Sequence, residues 1–366
     1  MRIAFFTDTY EPQKNGVVTS INFFAEALHR RGHKVKIFSP AAPGYHNGKV
    51  RFLRSIEFPR YQGYRIALPF LKPSEVKKFD VVHVHTPATL GILGIVLAKY
   101  YKIPVVGTFH TLLPEFAHYL ALPHTEKLTK RVLWKYSSIF YSKCDMTIAP
   151  TNFISYVLRK HGVKNVVVVP TGIRIKRHKK HKSYLRKKYG FEKNDKIILH
   201  VGRISKEKNI QFIIKSLKKF LKGNIKLVIT SDGPYRKHVE ILAGKNKNIK
   251  FTGFLTQKQL EDYYSLADIF VAASKSETQG LTLLEAAAHG LPIVAYDSPV
   301  TSEFLKGSKS GYIAKKDFAQ KVNKILKNKN VANRFRNNAI NAVKKYMPGK
   351  CADELIRVYN NVLNKK

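Results

Sequence analysis

The chain has 366 residues, 44% of them hydrophobic and 25% charged, which excludes a disordered or collagen-like polypeptide. At ~100–200 residues per domain, that length favours two globular domains. Sixty-six Lys and Arg against 24 Asp and Glu leave a net charge of +42, which bears on partners more than on fold. Charge alone leaves three partners open: nucleic acid, an anionic membrane surface or a polyanionic small molecule.

Other bounds are simple. Cys144 and Cys351 lie far apart and outside any Cys-x-x-Cys spacing, which argues against a disulfide framework or a zinc site and fits a reducing cytosol. The start, MRIAFFTDTY, reads as an apolar strand without the features of a signal peptide. The longest uncharged apolar run, Leu90–Ala98, is short of the ~20 residues a membrane span needs. The expectation is a soluble or peripheral protein.

Short β-branched or aromatic runs alternate with helical patterns. In the first half the predicted strands are Ile3–Phe6, Val35–Phe38, Val81–Val84, Val105–Gly107, Met146–Ala149 and Val166–Val169. Helices are predicted over Val17–Arg31, Ala88–Tyr100, Thr125–Ser142 and Asn152–His161. The second half repeats the scheme, with strands at Ile197–Val201, Lys226–Thr230, Lys250–Thr252, Ile269–Ala272 and Pro292–Ala295. Its helices are expected near Ile210–Leu221, Tyr235–Ala243, Gln257–Ser265 and Leu281–His289. Such alternation predicts an α/β protein with parallel sheets covered on both faces, here two Rossmann-like halves in tandem.

The boundary falls in Pro170–Ser183. From Arg174 to Lys188 there are nine Lys and Arg and no acid, so the segment reads as a solvated linker entering a basic helix, or as a site for anionic lipid or phosphate. Residues 1–173 carry a net +15 and residues 174–366 a net +27, so no compact basic tail accounts for the charge. The last stretch, Pro348–Lys366, is a helical pattern that could dock back onto the first half. The expected domains are therefore 1–173 with 348–366, and 174–347.

The strongest constellation is Ser276–Gly290, SETQGLTLLEAAAHG. Gly280 permits a tight turn into a helix whose first N–H groups, at Gly280, Leu281 and Thr282, can face an anion. Glu285 lies just over one turn into that helix, where it could reach a ribose diol, and Glu277 precedes it, where it could meet a sugar. Val201–Asn209, VGRISKEKN, places Arg203 and Lys208 between a strand and a helix, where open α/β sheets bind ligands. Two cations there suit a diphosphate: Arg through its planar fork, Lys as a point charge. Either alone is more often a solvated surface charge; together with the Glu277 segment they outline a nucleotide-sugar pocket.

These residues resemble the retaining glycosyltransferases of the GT-B fold, family 4, whose pattern is a Glu, seven residues and a second Glu, with an Arg and a Lys earlier in the same domain. The resemblance implies two Rossmann-like domains facing a central cleft, with the C-terminal helix crossing back to the N-terminal domain. It implies that Arg203 and Lys208 hold the donor diphosphate, Glu285 the ribose and Glu277 the transferred sugar. Ser231–Pro234 resembles the family's Gly-Asp-Gly-Pro turn with Ser231 in place of the first Gly, and Lys250–Leu255 the segment that receives the nucleobase near Phe254. In the first half, Thr7–Ile21 places Gly16 at a helix start where backbone can approach a phosphate, and GTFHT places His110 where the family has a His near the transferred sugar. Arg174 stands where many relatives have Asp.

Within the family, TDTYEPQKNGVVTSI, GTFHT with EFAHYL, and SETQGLT are most similar to the diacylglycerol glucosyltransferases. That likeness implies glucose transfer with retention, the acceptor hydroxyl attacking the face that the diphosphate leaves, and His110 stabilising the sugar or relaying a proton. UDP-glucose is the expected donor; UDP-galactose, GDP-mannose and a soluble sugar acceptor stay open. No Asp-x-Asp motif follows a strand, so neither metal nor cofactor is expected.

The acceptor side is read from charge. Arg51, Arg54 and Arg60 lie among Phe52, Phe58 and Tyr61, and Lys130, Arg131 and Lys135 surround Trp134. Basic residues interleaved with aromatics suit an anionic membrane interface, at ~1 kcal/mol per basic residue near the surface. The plain alternative is a helix with its aromatics in the core and its lysines in water. The expected enzyme is peripheral at the cytoplasmic face of the membrane. A nucleic-acid-binding protein would explain the charge but not the paired Glu residues or the Arg203–Lys208 loop, and a catalytically silent relative should lack Glu277, Lys208 or His110. Lys outnumbers Arg 49 to 17, so part of the charge fits a biased composition.

Overall fold

The computed structural model describes residues 1–58, 64–117, 124–174 and 181–365. The chain divides into two compact units, Met1–Gly172 with Pro348–Lys366, and Ile173–Met347.

The first unit is built on a parallel sheet of seven strands: β1 (Arg2–Phe6), β2 (Lys34–Pro40), β3 (Val50–Leu53), β6 (Val81–Val84), β7 (Val105–Thr108), β8 (Met146–Ala149) and β9 (Val166–Val168). β4 (Ser55–Glu57) and β5 (Arg65–Ala67) form a separate antiparallel pair. The sheet order is β3-β2-β1-β6-β7-β8-β9. Alternation along β1 sends Ala4 and Phe6 into one core and Ile3 and Phe5 into the other, as expected of a strand buried on both faces. The first core packs under the helices Thr89–Tyr100, Glu126–Ser142 and Asn152–Lys160. The second lies under Gly16–His29 and the terminal helix Pro348–Leu363, whose Cys351, Leu355, Val358, Tyr359 and Val362 are buried. Arg31 fastens that terminal helix by an ion pair to Asp353 (2.8 Å) and a bond to the Gly349 carbonyl.

The second unit has β10 (Lys196–Val201), β11 (Ile225–Thr230), β12 (Ile249–Phe251), β13 (Ile269–Ala272), β14 (Ile293–Tyr296) and β15 (Gly311–Ala314), all parallel, in the order β12-β11-β10-β13-β14-β15. Helices Ile210–Leu217, Arg236–Ala243, Gln257–Leu266 and Leu281–Ala288 alternate with these strands. β3, the β4–β5 pair, β15 and the helices Pro299–Ser308, Phe318–Lys327 and Lys329–Ala342 go beyond the elements read from sequence. β15 opens on Gly311, where a Cβ would lie 1.8 Å from the Ile293 carbonyl oxygen, so close approach of backbones dictates a residue with little strand propensity.

The basic linker reading is corrected in part. Arg174 is exposed, residues 175–180 lie outside the described residues, and the helix Lys182–Lys188 is anchored by acids. Lys182 and Arg186 both pair with Asp268 at 2.7 Å, and Lys188 pairs with the buried Asp262 at 2.6 Å. These three cations hold the helix on its own unit, which removes them from the charge available to a partner.

Candidate active site

In the second unit the strand order reverses between β10 and β13, the place where open α/β sheets bind ligands. The loop after β10 carries Arg203 and Lys208, both half-buried, and the loop after β13 carries Glu277. Lys208 closes a short 3-10 turn, Lys206–Lys208, that Asn209 ends in the left-handed region (φ 53). Its Nζ pairs with Glu277 Oε1 at 2.6 Å, so the residue expected to hold the diphosphate and the one expected to hold the sugar are in contact. His200 lies beneath them, 2% exposed, with Nδ1 3.0 Å from the Val271 carbonyl; loss of hydration lowers its pKa to about 4.

Gly280 takes φ 74 and ψ 57 at the start of Leu281–Ala288, a conformation that favours glycine, and a Cβ there would meet Leu283 Cδ1 at 2.8 Å. The turn brings Leu281 and Thr282, both half-buried, to the helix start, where backbone N–H groups lack intrahelical acceptors. One turn on, burial raises the Glu285 carboxyl to about 7, although the buried Tyr264 hydroxyl donates to its Oε2 at 2.8 Å. Tyr264 in turn stacks on His289 at 4.9 Å.

The Ser231–Pro234 turn clasps the Arg203 loop. The Ile204 amide donates to the Asp232 carbonyl and the Tyr235 amide to the Ile204 carbonyl, each at 3.0 Å. A Cβ on Gly233 would lie 2.3 Å from the Ile204 oxygen. Ser231 sits at φ 78, so it occupies the left-handed backbone that its glycine counterpart adopts without strain. Its amide donates to the Gly253 carbonyl (2.8 Å), which places the next residue, Phe254, at the same end of the sheet with 65% of its surface exposed.

In the first unit the order reverses between β1 and β6. Buried Asp8 spans that point, accepting from Thr86 Oγ1 (2.6 Å), Thr89 Oγ1 (2.7 Å) and the Leu90 amide (2.8 Å). Asn15 caps the helix Gly16–His29 by accepting from the Val18 amide at 3.0 Å, and Gly16 is exposed in its first turn. His110 follows β7, half-buried, and desolvation lowers its pKa to about 3. Its Nε2 is 3.1 Å from His85 Nδ1, and the rings stack at 5.3 Å. His83 and His85 escaped the sequence reading; the pattern His-x-His at a strand end, which puts both rings on one face, was the available signal.

The basic–aromatic stretches resolve differently. Arg51 pairs with Glu75 and Lys130 with Glu126, Arg54, Arg131 and Lys135 are exposed, and Arg60 lies outside the described residues. Trp134 is half-buried, stacked on His161 at 4.0 Å, while Phe140 and Tyr141 are in the core. Exposed apolar side chains on the two helices are mainly aliphatic: Leu128, Val132 and Ile139 share the outer face of Glu126–Ser142, and Ile92 and Val96 with Tyr100 that of Thr89–Tyr100, while Phe70 is exposed elsewhere in the unit. The two helices are neighbours, since the Tyr136 hydroxyl donates to the Pro87 carbonyl at 2.5 Å and Gly91 packs against Phe140. A cavity of about 330 Å³ opens beside Arg131, Trp134, Lys135 and His161.

Residues 14–177 match the family described as Glycosyltransferase Family 4, and residues 182–342 match Glycosyl transferases group 1. An alpha-monoglucosyldiacylglycerol synthase of Streptococcus pneumoniae is 34% identical over 87% of this chain and 77% of its own length. One from Acholeplasma laidlawii is 30% identical over 100% of this chain and 98% of its own. Among solved structures, Anabaena HepE in complex with UDP-glucose superposes with a TM-score of 0.79 at 17% identity, covering 99% of this chain and 100% of that one. Two parallel-sheet units with loops of this composition at their switch points, and relatives of this likeness, establish that the chain belongs to the GT-B glycosyltransferases of family 4.

Proposed function

We propose that this glycosyltransferase transfers glucose from UDP-glucose to a lipid hydroxyl, that of diacylglycerol, with retention and without a metal, at an anionic membrane surface. The observation that carries the reading is the Lys208–Glu277 pair at the switch point, beside Arg203 and the Gly280 helix start. In this reading Arg203, Lys208 and the N–H groups of Gly280, Leu281 and Thr282 stabilise the departing diphosphate, and such preorganised electrostatics is usually the largest catalytic term. Glu285 takes the ribose diol, backbone near Phe254 the base, Gly16 a phosphate from the first unit, and Glu277 and His110 the sugar. Support for glucose and diacylglycerol comes from the names of the two curated relatives, and for the donor from the ligand of HepE.

Support for the membrane comes from the first unit. Leu128, Val132 and Ile139 form an exposed apolar helix face beside Arg131 and Lys135, and Ile92 and Val96 are exposed on a second helix, the composition of helix faces that lie on an anionic bilayer. Among the described residues no helix is long and apolar enough to cross a membrane. Attachment in this reading is peripheral, on the cytoplasmic leaflet, through Arg51, Arg54, Arg60, Lys130, Arg131, Trp134 and Lys135 with their aliphatic neighbours.

A donor screen for hydrolysis and transfer, with and without diacylglycerol in anionic micelles, tests the reading. UDP-glucose with diacylglycerol should give glucosyldiacylglycerol; glycosylation of water-soluble acceptors alone would sink the lipid assignment, and turnover of UDP-galactose or GDP-mannose alone the donor. Co-sedimentation should favour anionic over neutral vesicles, and Arg131→Glu with Lys135→Glu should abolish the preference. Equal binding to both vesicles defeats the electrostatic part.

A further inference from the structure

Three imidazoles stand in a column in the first unit. His83 stacks on His85 at 4.1 Å and 27°, and His85 on His110 at 5.3 Å and 18°, while Phe5 meets His83 and His85 edge-on. His83 has both ring nitrogens engaged: Nδ1 is 2.6 Å from the Tyr359 hydroxyl and Nε2 2.7 Å from Thr108 Oγ1. His85 differs. Its Nδ1 is 3.1 Å from His110 Nε2, and its Nε2 is buried with no hydrogen-bond partner among the described residues.

Burial lowers the pKa of all three rings, so near neutral pH each is uncharged and carries a single N–H. The contact between His85 and His110 therefore has two possible directions. If the His85 proton sat on Nε2, a fully buried N–H would be orphaned. If it sits on Nδ1, that N–H is satisfied by His110 and only a lone pair is left bare. Orphaned buried donors are rarer than under-satisfied acceptors, which favours the second arrangement.

We infer that His85 is a positioning residue for the transfer: its Nδ1–H donates to His110 Nε2 and holds His110 in the tautomer protonated on Nδ1. His110 then has its basic nitrogen committed inside the protein. That nitrogen is therefore not the base that takes the acceptor's proton. The inference rests on the proposed placement of His110 at the sugar, and it adds how that ring is held and which role is left to it. His83, tied to Thr108 and Tyr359, supplies the rigid plate on which His85 lies.

Ring-nitrogen NMR on the full-length, 15N-histidine-labelled protein tests it, with His110→Phe used to assign the signals. In the wild type, His110 should show a protonated Nδ1 and a bare, hydrogen-bonded Nε2. His85→Leu should release the lock, giving mixed tautomers at His110 and a kcat lower by about 10-fold to 100-fold, the scale known for groups that orient metal-ligating histidines, with donor KM little changed. His85→Asn, which can keep an amide N–H near the Nδ1 position, should restore the tautomer and most of kcat, whereas His85→Gln should not. A wild-type His110 protonated on Nε2, or His85→Leu with unaltered His110 signals and kcat, would overturn the inference; should His85→Leu fail to fold, the wild-type spectrum and the Asn–Gln contrast still decide it. Full activity in His110→Phe would instead defeat the placement of His110 at the sugar, while the spectrum still reports whether His85 sets the tautomer.

Discussion

The two units meet the same topological problem, a reversal of strand order, with opposite chemistry. At the reversal in the second unit stand full charges held close: Lys208 against Glu277, with Arg203 in the same loop. In the first unit, the loop after β7 offers His110, the end of a column of neutral, dehydrated imidazoles, and the surface offers aliphatic side chains. Under the proposed function, the difference separates two kinds of recognition. Phosphate demands cations and N–H groups whose spacing is short-range and lies within one or two loops. A sugar hydroxyl demands groups of fixed direction, and the His110 ring is held by a column whose contacts come from distant strands and the terminal helix.

The largest expected effect breaks the charged side. Glu277→Ala and Lys208→Ala should each reduce transfer by about 100-fold to 1,000-fold, the scale of losing one preorganised electrostatic group. Because the two side chains touch, the double variant should fall well short of the product of the single losses in steady-state kinetics. Retained transfer in Glu277→Ala with an intact fold contradicts its assigned role.

The next effect uses acid to separate the units. The unfolded-state pKa of a histidine is 6.5, and His110 is lowered to about 3, with His83 and His85 lowered as well. The stability these neutral rings contribute is complete above pH 6.5 and is lost as pH falls from there toward 3. Hydrogen exchange followed from pH 7 to 4 should therefore show β6 and β7 losing protection. His200 gives the second unit one liability of the same sign.

Glu285 has the reverse sign. Its carboxyl rises from 4.5 unfolded to about 7 folded, so its contribution is complete below pH 4.5 and is lost as pH climbs to 7, by ~3 kcal/mol at 1.36 kcal/mol per unit. If the ionised carboxylate accepts the ribose hydroxyls, donor KM should fall as pH rises through 7, and Glu285→Gln should flatten that profile. A KM profile unchanged by the substitution separates Glu285 from the donor. The smallest effect is structural: Ser231→Gly should stabilise the protein by roughly 0.5–1 kcal/mol in thermal unfolding, left-handed strain being partly offset by the greater freedom of glycine in the unfolded chain.

Much of the architecture was legible in the chain. β6, β8 and β13 stand at the residues read from their β-branched runs, and the helix start at Leu281 follows from Gly280. What escaped depends on distant partners. The Lys182–Lys188 helix reads as free charge because its acids, Asp262 and Asp268, come about 80 residues later. The aromatic face of Glu126–Ser142 reads either as membrane-facing or as core; Phe140 and Tyr141 are in the core and Leu128, Val132 and Ile139 are outside. That orientation is settled by which face meets the sheet, which local composition does not encode. For the His column only the His-x-His spacing of residues 83 and 85 was a local signal; its contacts to His110 and to the hydroxyl of residue 359 depend on distant partners.

That last hydroxyl carries a consequence for synthesis. Ile173–Met347 is a continuous stretch, and it has left the ribosome before the helix Pro348–Leu363 emerges. Domains generally fold as units during translation, so the second unit can finish while the first still waits. Until Leu355, Val358 and Tyr359 arrive, the nascent first unit has an open apolar slot beside Gly16–His29, and His83 lacks its Tyr359 partner. His83 therefore gains its Tyr359 partner only after the whole of the second unit has been synthesised.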